Sequence, residues 1–126
     1  MESGLSINKH LYSLLSGDAE LEGMVGNNIY PLIAEEDVKF PFIIFSKTSL
    51  TPEYNKCGVT GDVISFSVAI AAQNYFQTVD IAEKVRGILE LHRDSYFTRV
   101  EFSGVTEEYM EDSYIQTLNF TARINF

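Results

Sequence analysis

Apolar residues change their period along this chain, and each change marks an element. Ile7, Leu11, Leu14 and Leu15 recur at helical spacing and form one buried stripe of a first helix, with Ser6 as its cap and Ser16-Gly17 as its stop. Asp18 opens a short second helix, with Glu20 and Glu22 near its positive end and Gly23 and Gly26 closing it. Ile29-Tyr30-Pro31-Leu32 reads as extended, because the residue before a proline favours the β region. Residues 34–39 are polar and acidic and read as a loop. From Phe42 to Leu50 the period becomes two, with Phe42 and Ile44 on one face and Ile43 and Phe45 on the other. Both faces start apolar, which predicts cover on both sides of that strand's first half.

Thr51 to Gly61 holds Pro52, Gly58 and Gly61 and reads as a long connection. Asp62 to Ala72 alternates again. Ile64, Phe66, Val68 and Ile70 share one face, and the small Ser65, Ser67, Ala69 and Ala71 share the other, which is offered as the bed for a closely packed helix. That helix runs from Asn74 to His92, with Asn74 and Gln77 in capping-box arrangement, and Gly87 is read as a point of close approach to the sheet. A strand over Tyr96–Val105 and an acidic connection over Glu107–Asp112 lead to the clearest strand, the last. There Tyr114, Gln116, Leu118, Phe120, Ala122, Ile124 and Phe126 alternate with polar neighbours, the mark of an antiparallel strand with one wet side. The predicted fold is α+β, one domain over 1–126, with an antiparallel β-sheet packed against one long helix (about 74–92) and an N-terminal helix.

Composition narrows the chemistry. The chain has 126 residues and 45% hydrophobic content, enough for a real core and not for two domains. It contains no apolar run long enough to span a membrane, and Met1-Glu2-Ser3-Gly4 does not look like the start of a signal peptide. Cys57 is the sole cysteine, excluding an internal disulfide, and is read as a reduced thiol in a loop rather than a nucleophile. His10 and His92 lack a partner at metal-ligand spacing, and Asp62, Glu83 and Glu107 lack one at catalytic spacing, so no catalytic, cofactor or metal residue is assigned. A net charge of −9 argues against a phosphate-gripping patch. It fits an ordinary soluble protein and equally a surface meant to stay off nucleic acid.

Taken in order, Leu11-Tyr12-Ser13-Leu14-Leu15, Val25-Gly26-Asn27-Asn28-Ile29-Tyr30-Pro31 and Phe40-Pro41-Phe42-Ile43-Ile44-Phe45 resemble the opening of the phage tail completion (tail-to-head joining, tail terminator-like) proteins. The resemblance continues through the following strand, the long helix and the closing strand. It implies a non-enzymatic structural virion protein that caps the tail tube and makes the joint to the head. It further implies self-association, commonly as a hexameric ring around the DNA channel, beside tail tube and head–tail connector proteins. Such a protein would assemble in the host cytoplasm, reside at the tail–head interface of the virion, bind no membrane, and let DNA pass without binding it specifically. On this reading Glu53, Tyr54, Lys56 and Val59 are expected subunit or tail-tube contacts, and Glu107, Glu108, Glu111 and Asp112 are expected to face the channel or solvent. The alternative is a non-enzymatic α+β adaptor or protein-binding module, which concentration-dependent mass would separate from a ring former.

Overall fold

A computed structural model describes residues 2–126. Its elements are α1 (Ile7–Ser16), α2 (Ala19–Val25), β1 (Ile29–Pro31), β2 (Phe42–Asn55), β3 (Gly58–Ala72), α3 (Tyr75–Leu89), β4 (Arg99–Met110) and β5 (Ser113–Asn125). The strands form one five-stranded sheet in the order β1-β2-β3-β5-β4. Four of them are mutually antiparallel, as expected, and the short β1 adds a parallel pairing, Ile29–Pro31 against Ile43–Phe45. The α+β class therefore holds, with a mixed sheet. No helix among the described residues is long and apolar enough to cross a membrane.

All three helices lie on one face of the sheet. Ile43 and Phe45 of β2, Ile64, Phe66, Val68 and Ile70 of β3, and Leu118, Phe120, Ala122 and Ile124 of β5 interlock there with Ile7, Leu11 and Leu15 of α1 and Ile81, Val85 and Leu89 of α3. Phe66 and Phe120 stack across neighbouring strands at 5.2 Å, the paired aromatic contact that strengthens a pleated face. Asp18 and Asn74 cap their helices as the sequence implies, accepting from the Leu21 and Gln77 N–H groups at 3.0 and 3.2 Å. Lys84 reaches from α3 to Asp18 and Glu20 of α2. Toward opposite ends of the core, buried Asp62 accepts the Gly4 N–H at 2.7 Å, and Gln116 donates to Thr78 of α3 at 3.2 Å.

Several expectations change. The helix bed is the large-side-chain face of β3; Ser65, Ser67 and Ala69 lie on the opposite, uncovered face and are half-buried. Burying Ile64, Phe66, Val68 and Ile70 removes far more apolar area from water than burying serines and alanines would, so that term decides the orientation. Phe42 and Ile44 share the uncovered face and are only partly buried, so cover on both sides of β2 is not achieved. Ser6 makes no side-chain cap; Ser3 caps a 3-10 turn at Gly4–Ser6 that leads into α1. Helix α3 ends at Leu89, short of His92, and Gly87 faces outward with nothing near the place a Cβ would occupy.

The two supposed connections are strands. The segment from Thr51 to Gly61 continues β2 into β3 through a turn at Lys56-Cys57. Pro52 lies where β2 has only β3 beside it, because β1 stops opposite Phe45, and an edge tolerates a missing donor. Gly61 is needed for close approach: a Cβ there would run into the Ile124 carbonyl of β5. Likewise Glu107 and Glu108 belong to β4, an edge strand, where charge is compatible with pairing on one side only. Just Glu111 and Asp112 form the turn, both with positive φ (51° and 59°), the two-residue hairpin geometry whose twist matches its strands.

Candidate assembly surfaces

The expected contact residues fall on two hairpins at opposite ends of the sheet. At one end, β5 stops pairing with β3 at the Asn125–Gly61 pair, so the ladder from Tyr54 to Val59 stands beyond the sheet with no strand on either side. Tyr54 and Val59 face each other across that ladder and are 69% and 46% exposed. The Asn55 side chain accepts the Cys57 N–H at 2.7 Å and shapes the turn, leaving Lys56 and Cys57 exposed at its tip. Lys56 makes no ion pair among the described residues. Tyr54, Lys56 and Val59 thus converge. Glu53 does not join them: it sits at the base of the overhang and pairs with Arg123 of β5, so its charge is spent inside the chain.

At the other end, the β4–β5 hairpin meets the start of α3. Tyr109 and Tyr114 oppose each other across the hairpin with ring centroids 4.8 Å apart. Tyr75, the first residue of α3, stands edge-on to Tyr114 at 5.7 Å and donates its hydroxyl proton to Glu107 Oε2 at 2.5 Å. That hydrogen bond to the Glu107 carboxylate, with some burial, raises the Tyr75 pKa and keeps the phenol protonated. Phe76 follows on α3, 73% exposed. Among these groups is a surface cavity of about 260 Å³, lined by Tyr75, Glu107, Glu108, Tyr109, Tyr114 and Gln116. Glu111 and Asp112 lie outside it at the turn. Of the four acidic candidates, Glu107 turns its carboxylate to Tyr75, Glu108 pairs with Ile115 on the other face of the sheet, and Glu111 and Asp112 cap the hairpin.

Sequence reading did not single out Tyr75, Phe76, Tyr109, Met110 and Tyr114. The available signal was Tyr109-Met110 set inside the acidic run, with Tyr114 just after it. They remain exposed together, and an exposed apolar cluster rimmed by polar groups is the usual form of an interaction surface. The remaining titratable clusters serve local structure. His10 stacks on Tyr96 at 3.7 Å and meets Glu2, while the buried Tyr96 hydroxyl donates to the Ser3 carbonyl. Burial, together with the Glu2 and Asp62 charges, pushes the Tyr96 pKa up to about 12.

The sheet, with its helical cover on one face and two exposed hairpin ends, defines an α+β domain. Over 92% of its length and 92% of the other chain, it is similar in structure to a chain in the virion of a native gene transfer agent particle, with a TM-score of 0.77 and 19% identity. No curated protein sequence matches it. The family model for tail completion protein gp17 matches residues 9–125, and the chain belongs to that family, a family of structural phage tail proteins.

Proposed function

We propose that this chain is a non-enzymatic virion subunit that caps the tail tube and forms the tail-to-head joint as a ring of copies, six in the expected form, around the DNA channel. Family membership over nearly the whole chain carries this reading. The fold shared with a chain of a gene transfer agent virion supports it, as do two exposed hairpins that leave large apolar side chains without partners in their own chain. Its neighbours would be the tail tube protein and the head–tail connector proteins, with assembly in the host cytoplasm. The Tyr54–Val59 tip supplies contacts, and the acidic turn at Glu111-Asp112 faces solvent or the channel. With a net charge of −9 per copy, such a ring repels phosphates within about 8 Å of its wall, one Debye length at physiological salt, and lets DNA slide.

Mass measured against concentration, alone and with purified tail tubes, tests the proposal. Hexamers or larger rings at high concentration or on tube ends are expected. A chain that stays monomeric under both conditions, or infectious particles formed without it, would overturn the reading.

A further inference from the structure

We propose that the β2–β3 tip of one copy seats in the aromatic pocket beside α3 of the next copy, with Lys56 entering between the tyrosine rings and the Glu107 carboxylate. This rests on the ring reading and supplies its joint.

Three observations lead to it. The two surfaces are chemically complementary. The stretch from Tyr54 to Thr60 carries one cation and no acid, in a chain with twice as many acidic as basic residues. The pocket presents Tyr75, Tyr109 and Tyr114 with the Glu107 carboxylate, and neither Tyr75–Val79 nor Val105–Leu118 contains a lysine or arginine. An ammonium beside tyrosine faces and a carboxylate gains from both, more so as the contact loses water. The Tyr75 hydroxyl already holds Glu107 in place, so little side-chain freedom remains to be lost on docking.

The surfaces also cannot meet within one chain. The tip leads into the first residue of β3, and the pocket adjoins its last, since Ala72 pairs with Tyr114. Fifteen residues of extended strand hold them roughly 45 Å apart. Charge then selects the arrangement. Tip against tip would bring two Lys56 side chains together, and pocket against pocket would bring two Glu107 carboxylates together; tip into pocket alone pairs opposite signs. A contact between two different patches is heterologous, and with the right rotation it closes into a ring. Finally, the cavity is small. At about 260 Å³ it falls below the roughly 300–1,000 Å³ of a small-molecule site and suits one long side chain.

Cys57 gives the experiment a handle, being exposed, adjacent to Lys56 and the sole cysteine. The full chain, labelled there with a thiol-reactive photo-crosslinker and mixed with isotope-labelled unmodified chain, should crosslink between copies to peptides holding Tyr75 or Tyr109–Tyr114. In parallel, Lys56→Glu and Glu107→Lys should each weaken self-association at least tenfold with melting temperatures little changed. An equimolar mixture of the two variants should restore it, because each altered tip then meets an altered pocket. Wild-type rings that crosslink elsewhere, or that ignore both charge reversals, would overturn the seat while leaving the ring intact. A wild-type chain that never associates, alone or on tail tubes, would overturn the ring and the seat together.

Discussion

The covered face of the sheet and its two hairpin ends use the same kinds of side chain in opposite ways. On the covered face, Phe45, Phe66 and Phe120 are closed off from water by helices of their own chain. At the ends, Tyr54, Tyr109 and Met110 also carry large apolar surface and stay in solvent. Helix cover stops short of both ends, so the difference does not come from strand pattern. It comes from where the sheet outruns its second layer. Strand length is therefore informative here: residues that extend a ladder past its cover add little to folding and are available to another chain.

Substitutions at the two regions should separate folding from assembly. The largest effect is expected at Phe120→Ala, which removes a ring stacked on Phe66 and tilted against Phe102. Its unfolding free energy should drop by about 3–5 kcal/mol, read from urea denaturation. Asp62→Ala should follow, at about 1–3 kcal/mol, because the Gly4 N–H would lose its acceptor at a buried site.

Acid should act through Asp94. Burial pushes that carboxyl up, but the Phe97 N–H, the His92 ring and the Tyr96 N–H outweigh it, and the folded pKa lies below the ordinary value. A depressed carboxyl adds stability above its unfolded pKa, about 3.9, and loses it as pH falls through the lower folded value. Thermal melts of wild type should therefore decline below about pH 4, and Asp94→Asn should flatten that decline while lowering stability at neutral pH. At the ends, Tyr54→Ala should shift unfolding by no more than about 0.5 kcal/mol, yet reduce the mass of assemblies measured by light scattering. Should Tyr54→Ala instead destabilise the monomer as much as Asp62→Ala, the contrast between the two regions would be lost.

Much of the covered region was legible in the sequence. Ile7, Leu11 and Leu15 at helical spacing, and the alternation from Gln116 to Ile124, state their own burial, because core packing is what a hydrophobic period records. The side chosen by the helices was not legible from β3 taken alone; the competition between its large and small faces is settled by buried area. The hairpins were harder still. Pro52, Gly58, Gly61 and four clustered acids are the residues that mark loops, and on edge strands the same residues are permitted. Local propensity cannot tell a loop from a strand whose second neighbour is missing. The pocket was hidden for a related reason: Tyr75 and Tyr114 lie 39 residues apart, and only the sheet brings them edge to edge.

Gly4 is bonded to Asp62, near the start of β3, and the Phe126 N–H donates to the Thr60 carbonyl, so both extremities of the described chain emerge beside the protruding tip. Any polypeptide joined at either extremity, whether an affinity tag or a fused reporter, would crowd the rim where the proposed neighbouring copy docks. Insertions meant to leave assembly undisturbed belong elsewhere, and the exposed, acidic 34–39 loop is far better suited to carry them.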